Sequence, residues 1–181
     1  WRGAADHDFA VSLARADSGG FGTMFGALTF QKGPVVLLML EDIIGTKAMN
    51  AALRAYVARN AYGHASVSAF RLAAETASGR DLGWYFDQWT TRAATPEISL
   101  AWSYEHSSNA GRVRATIVQS DTVAPFRLPL HVRIVSADGK TRLSPVELRQ
   151  ARQEYTFDAS EKPSSVTLET DRTLLRVKSA P

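Results

Sequence analysis

The hydrophobic period of this chain changes once, near Thr95-Pro96, and that change limits what the chain can fold into. Upstream, apolar residues recur three and four positions apart, as one face of a helix requires. Downstream they alternate, as strands with one buried face require. The sequence therefore predicts an α+β protein in two segregated parts. Residues 1–95 form a small helical domain of about four helices, and residues 96–181 form an antiparallel β-sandwich.

Within the helical part, "GPVVLLMLEDIIG" reads as a helix from Pro34 to the residue before Gly45. Proline suits a first turn, where its missing N–H is not needed, and glycine suits the position past the end. The residues between are apolar nearly all round, which predicts burial on most sides. Thr46 is expected to cap a second helix carrying Ala48, Met49, Ala52, Leu53, Tyr56 and Val57, up to Asn60. After "AYGHAS", Ser66 or Ser68 can cap a third, with Phe70, Ala73, Ala74 and Ala77, stopped by Gly79. Asp81 can cap a fourth, "DLGWYFDQWTTR". Ahead of these, residues 6–16 fit a short helix, and "DSGGFGTMFG" reads as loop.

After Pro96, Ile98, Leu100, Trp102 and Tyr104 share one strand face. Val113, Ala115 and Ile117 alternate with Arg112, Arg114 and Thr116, and Leu128, Leu130, Val132 and Ile134 share a side. Asp138-Gly139 signals a hairpin turn. With "EYTFDA", "SVTLET" and "TLLRVK", six or seven short strands are expected, the pattern of a sandwich.

Bulk properties exclude several function classes. Nine Lys/Arg stand against eight Asp/Glu in residues 1–95 and twelve against ten in 96–181, so no concentrated basic stripe marks a nucleic-acid partner. The absence of cysteine excludes disulfides and thiolate zinc sites and fits a cytoplasmic or a periplasmic setting equally. The longest apolar run, Pro34 to Leu40, falls far short of the roughly 20 residues of a membrane span. The chain opens on Trp1 without a signal-peptide pattern, as a fragment or processed chain does.

The histidines are His7, His64, His106 and His131, and no two sit at the spacing of an HExxH metal pair. His7 between Asp6 and Asp8 reads as a solvated patch, His131 as an exposed strand position, and His64 as a turn residue. No glycine-flanked serine elbow or phosphate loop is present. Trp84, Tyr85, Phe86 and Trp89 read as core rather than as a ligand platform. From its residues alone the chain carries no self-sufficient active site, and its own metal ligands number none.

The order of three segments carries a resemblance. "TFQKGPVVLLMLEDIIG", "AMNAALRAYVARNAYGHASVSAFRLAAETASGRDLGWYFDQW" and "TPEISLAWSYE" together resemble the zinc aminopeptidases of the aminopeptidase N and leukotriene hydrolase type, the gluzincins. The likeness is close from Thr29 to Tyr104 and architectural beyond. Glycyl aminopeptidases share the first segment, but "FDQW" fits the former family better.

The resemblance implies the C-terminal portion of a bacterial-type zinc aminopeptidase relative. Its HExxH helix, third zinc ligand and general base would lie upstream of Trp1, on an N-terminal catalytic portion that this chain lacks. Zinc is then implied for the longer parent, with a peptide as its substrate, and this chain alone would be inactive. The family's Tyr-x-Lys-Gly segment supplies a tyrosine hydroxyl to the developing oxyanion. The corresponding residue here is Phe30, ahead of Lys32-Gly33, and a phenyl ring cannot donate. Loss of one such donor costs ~10²–10³ in rate. Phe30 is thus either a core aromatic before the helix or the mark of a weakened or abandoned peptidase. A shifted alignment or the hydroxyl of Thr29 offers another donor. The alternative function is a non-catalytic peptide- or protein-binding module, a pseudoenzyme remnant.

Overall fold

The computed structural model describes residues 28–107, 110–120, 124–170, 173 and 175–178. The expected helix over 6–16, the glycine-rich loop and His7 lie outside these residues. The chain divides into two compact units, with the boundary between Ala94 and Thr95.

In the first unit, Leu28–Lys32 forms a π-helical turn that runs without a break into α1, Gly33–Ile44. Pro34 lies in the first turn of α1, as expected. Val35, Val36, Met39 and Leu40 are buried along one stripe. Pro34 and Leu37 are exposed, so the expected burial on most sides is corrected: one flank of α1 stays open.

Gly45 has φ 83° and ψ 151°, and its N–H donates to the carbonyl of Glu41 at 2.7 Å. The same residue caps α2, Thr46–Asn60. The cap expected at Thr46 therefore falls one residue earlier, because a one-residue reversal needs a conformation that β-branched threonine avoids. Helix α2 buries Met49 and Ala52 but leaves Leu53 and Val57 exposed, so only half of its apolar face finds cover.

The third helix, α3, spans Val67–Ser78. Ser66 is its cap, with Oγ accepting from the Ala69 N–H at 3.1 Å. Gly79, at φ 66°, ends it where expected. The predicted fourth helix is short: α4 covers Gly83–Phe86, and Asp87–Thr91 continues as a second π-helical turn. The cap expected at Asp81 is corrected to Leu82, which makes no side-chain cap bond, while Asp81 Oδ1 accepts from the Gly83 N–H at 2.9 Å just ahead of the helix.

Aromatic rings join these helices. Tyr56 meets Phe70 edge-on at 5.3 Å, Phe70 meets Phe86 at 6.1 Å, and Phe86 meets Tyr85 at 5.9 Å. Tyr85 and Trp89 are almost completely buried, so these aromatics are core, as the sequence implies. Edge-to-face pairs of this kind each add about 0.5–1.5 kcal/mol beyond the area they bury.

Among its described residues the second unit has seven strands: β1 Glu97–Ser107, β2 Ala110–Ser120, β3 Leu128–Val135, β4 Thr141–Leu148, β5 Arg152–Asp158, β6 Ser165–Glu169 and β7 Arg176–Lys178. They form a four-stranded sheet in the order β5-β2-β1-β7 and a three-stranded sheet in the order β4-β3-β6. The expected alternation places Ile98, Val113, Ala115, Ile117, Leu128, Leu130, Val132 and Ile134 in the core. All pairings are antiparallel except that of β7, which runs parallel to β1. The sequence reading names no strand at β4, because Pro145 and a weak alternation hide it. The strand lies at a sheet edge, where a proline without an N–H is tolerated. The predicted hairpin is present, with Gly139 at φ 81° and its N–H donating to the Ser136 carbonyl.

Gln119 fastens the core to the chain entering β3. Its side chain is buried, its Oε1 accepts from the Phe126 N–H at 2.9 Å and its Nε2 donates to the Phe126 carbonyl at 2.8 Å.

Two substitutions test the backbone constraints. Gly45→Ala imposes a side chain on a conformation reserved to glycine and is expected to lower stability by about 1–3 kcal/mol. Gly111→Ala places a Cβ against the Ala159 backbone oxygen and the Tyr104 hydroxyl. It is expected to cost about 1–3 kcal/mol by overpacking. Denaturant midpoints of the two variants, at unchanged m-value, check both.

Candidate functional site

The head of α1 is where the sequence concentrates its most distinctive residues, and the π-helical turn gives them opposite environments. Phe30 is 62% exposed, whereas Lys32, two residues on, is 0% exposed. Phe30 is therefore no core aromatic: its ring lies at the open flank of α1, with Pro34 and Leu37 following at helical spacing.

Lys32 enters the interior instead. Its Nζ donates to the backbone carbonyl of Arg92 at 2.9 Å, just past the Asp87–Thr91 turn. Burial strips water from the ammonium and pushes its pKa down to about 8. Beside it, Gln31 Oε1 is buried with no hydrogen-bond partner among the described residues.

Tyr85 secures the other side of this helix head. Its hydroxyl donates to the Val36 carbonyl at 2.5 Å. Burial, with a smaller contribution from the Asp42 charge, holds the phenol well above its ordinary pKa, so it is a neutral donor. Farther along, Glu75 Oε1 accepts from the Leu82 N–H at 3.0 Å and from Arg71 Nε at 2.9 Å. These bonds, the backbone one foremost, hold its carboxyl below the usual range. Arg80 Nη1 donates to the Ile43 carbonyl at 2.8 Å and closes the end of α1.

An open apolar groove of ≈ 590 Å³ runs beside α1. Pro34, Val36 and Leu37 line one side, with Leu53, Val67 and Phe70 opposite. Among the described residues that line it none is charged, so it suits an apolar occupant rather than an ionic one.

The described residues do not fit a zinc site. Among them no three His, Asp or Glu side chains gather closely enough to hold an ion. His131 is exposed in β3, as expected, and His64 is exposed in the turn that links two helices. His106, in β1, is exposed and stacks on Tyr104, with its Nδ1 3.4 Å from the tyrosine hydroxyl.

Sequence reasoning singled out Lys32-Gly33 as a motif but missed that the lysine is buried. The available signal was its place between Phe30 and the apolar run. Nothing in the sequence points to a backbone carbonyl sixty positions away.

Burial of Lys32 has a pH signature. The folded pKa is about 8 and the ordinary one 10.5, so between these values the unfolded chain binds more protons. Stability contributed by this group therefore rises with pH across that window. Chemical denaturation of the native chain and of Lys32→Met, compared from pH 7 to about 10, is expected to show this rise in the former only. Equal slopes would mean that the ammonium is solvated.

Comparison with known proteins places this arrangement. Residues 4–89 match the model of the Peptidase family M1 domain. Tricorn protease-interacting factor F2 of Thermoplasma volcanium is 26% identical over 66% of this chain and 15% of its own length. Aminopeptidase N of Haemophilus influenzae is 26% identical over 63% of this chain and 14% of its own. Aminopeptidase N of Caulobacter vibrioides is 30% identical over 48% and 10%. The chain thus spans about a seventh of the length of the first two relatives. The crystal structure of Legionella pneumophila aminopeptidase A in complex with aspartic acid superposes with a TM-score of 0.71 at 16% identity, covering 86% of this chain and 18% of that one, a likeness of fold. Through its helical part, the chain is similar to the M1 family of peptidases, and the aminopeptidases among these relatives share that likeness.

Proposed function

We propose that this chain is the C-terminal portion of a zinc-dependent aminopeptidase, and that its helical unit forms one wall of the catalytic cleft. The open flank of α1 carries this reading. Phe30, Pro34 and Leu37 are exposed on the segment that resembles the family's Tyr-x-Lys-Gly helix, while the opposite stripe is buried. An apolar flank left uncovered on a matched domain suits a neighbouring part of the same enzyme.

On this reading the zinc, its ligands and the general base are supplied from outside the described residues, and the substrate is a peptide. The wall offers an apolar surface, and position 30 faces the reacting carbonyl. With phenylalanine there, the wall excludes water but gives the oxyanion no hydroxyl. The chain by itself is then inactive. A second reading, a non-catalytic peptide- or protein-binding module, is favoured by the same Phe30 together with the apolar groove.

Isothermal titration of this chain with zinc is expected to show no stoichiometric tight site. A submicromolar site of one ion per chain would refute the assignment of the metal to other residues. In the full-length protein, an intact HExxH with measurable release of N-terminal residues supports the first reading, and a degenerate one supports the second. If that protein is active, Phe30→Tyr is expected to raise kcat, by up to ~10²–10³ if a full oxyanion donor is restored. An unchanged kcat removes residue 30 from the oxyanion position.

A further inference from the structure

The helical unit contains two π-helical turns among its described residues, Leu28–Lys32 and Asp87–Thr91, and one hydrogen bond joins their C-terminal ends. Such turns are rare and cluster at functional places, because the wider ring turns side chains away from their α-helical directions. In the first turn this leaves Phe30 outside and Lys32 inside. Beside it, the Gln31 Oε1 has no hydrogen-bond partner among the described residues.

The bond from Lys32 Nζ ends on a main-chain carbonyl. A side-chain acceptor could swing away by a rotamer change, but a carbonyl is fixed by the path of the chain. A buried ammonium that loses such an acceptor gives up a charge-assisted hydrogen bond that water cannot readily replace there, so the bond is costly to open. It ties the start of α1 to the residue that ends the helical unit's last turn.

We propose that Lys32 is a positioning residue: its bond to the Arg92 carbonyl fixes the Leu28–Lys32 turn and so sets where the side chain of residue 30 stands on the flank of α1. The catalytic meaning rests on the reading of residue 30 given above; the clamp itself does not.

Hydrogen exchange on the whole chain tests the clamp. In Lys32→Met, amides of 28–33 and 89–92 are expected to exchange about tenfold faster while those of α3 keep their rates. A control, Met39→Ala, weakens the same helix from its core stripe and is expected to lack this paired signature. No change in Lys32→Met, or a uniform one, overturns the clamp. Should the variant fail to fold, the native chain decides: a Lys32 ammonium ¹⁵N resonance that persists at pH 7 supports the clamp, and its absence overturns it. In the active full-length protein, adding Lys32→Met to Phe30→Tyr is expected to abolish the gain in kcat with KM within about twofold, the mark of lost positioning rather than lost binding. A retained gain refutes the positioning role. If Phe30→Tyr gives no gain, the reading of residue 30 falls, and hydrogen exchange still decides the clamp.

Discussion

The helical unit depends on one buried hydrogen bond, from the Tyr85 hydroxyl to the Val36 carbonyl. A phenol taken out of water without a partner costs several kcal/mol, so this ring can be central only where that carbonyl is presented to it. The bond sets the distance between α4 and the first turns of α1. From Tyr85 the rings of Phe86, Phe70 and Tyr56 carry the contact on to α3 and α2. Lys32 performs a similar office at the helix head. Two polar groups, each facing backbone, locate a helix whose apolar stripe alone would allow it to slide or rotate.

Much of this was legible because the determining forces are local. The change of period at Thr95-Pro96 marks where helices give way to strands, and the caps at Ser66 and Gly79 follow from short-range chemistry. The core faces of β1, β2 and β3 follow from alternation. What escaped notice depends on neighbours. Thr46 lost its cap to Gly45 because the reversal between α1 and α2 takes one residue. Strand β4 was hidden by Pro145, which reads as a breaker until its edge position is known. The parallel pairing of β7 joins residues far apart in sequence, which no local pattern encodes.

The site was legible in part. Its segment order brings the family to mind before any coordinates do, and Phe30 stands out as a departure within it. Burial, however, is a property of assembled structure. Leu37, Leu53 and Val57 read as core by helical spacing and are exposed, since spacing specifies a face without specifying what covers it. Lys32 shows the converse. A charged residue reads as surface, and a partner such as the Arg92 carbonyl, sixty positions away, helps to make its burial tolerable.

Pro145 has a consequence beyond hiding β4. In an edge strand, opposite His131, it removes one N–H from the strand's row of donors. A second chain adding itself to that rim meets a missing rung midway along the ladder. That rung lacks a donor, which makes this rim a poorer template for an added strand than an unbroken row of N–H groups.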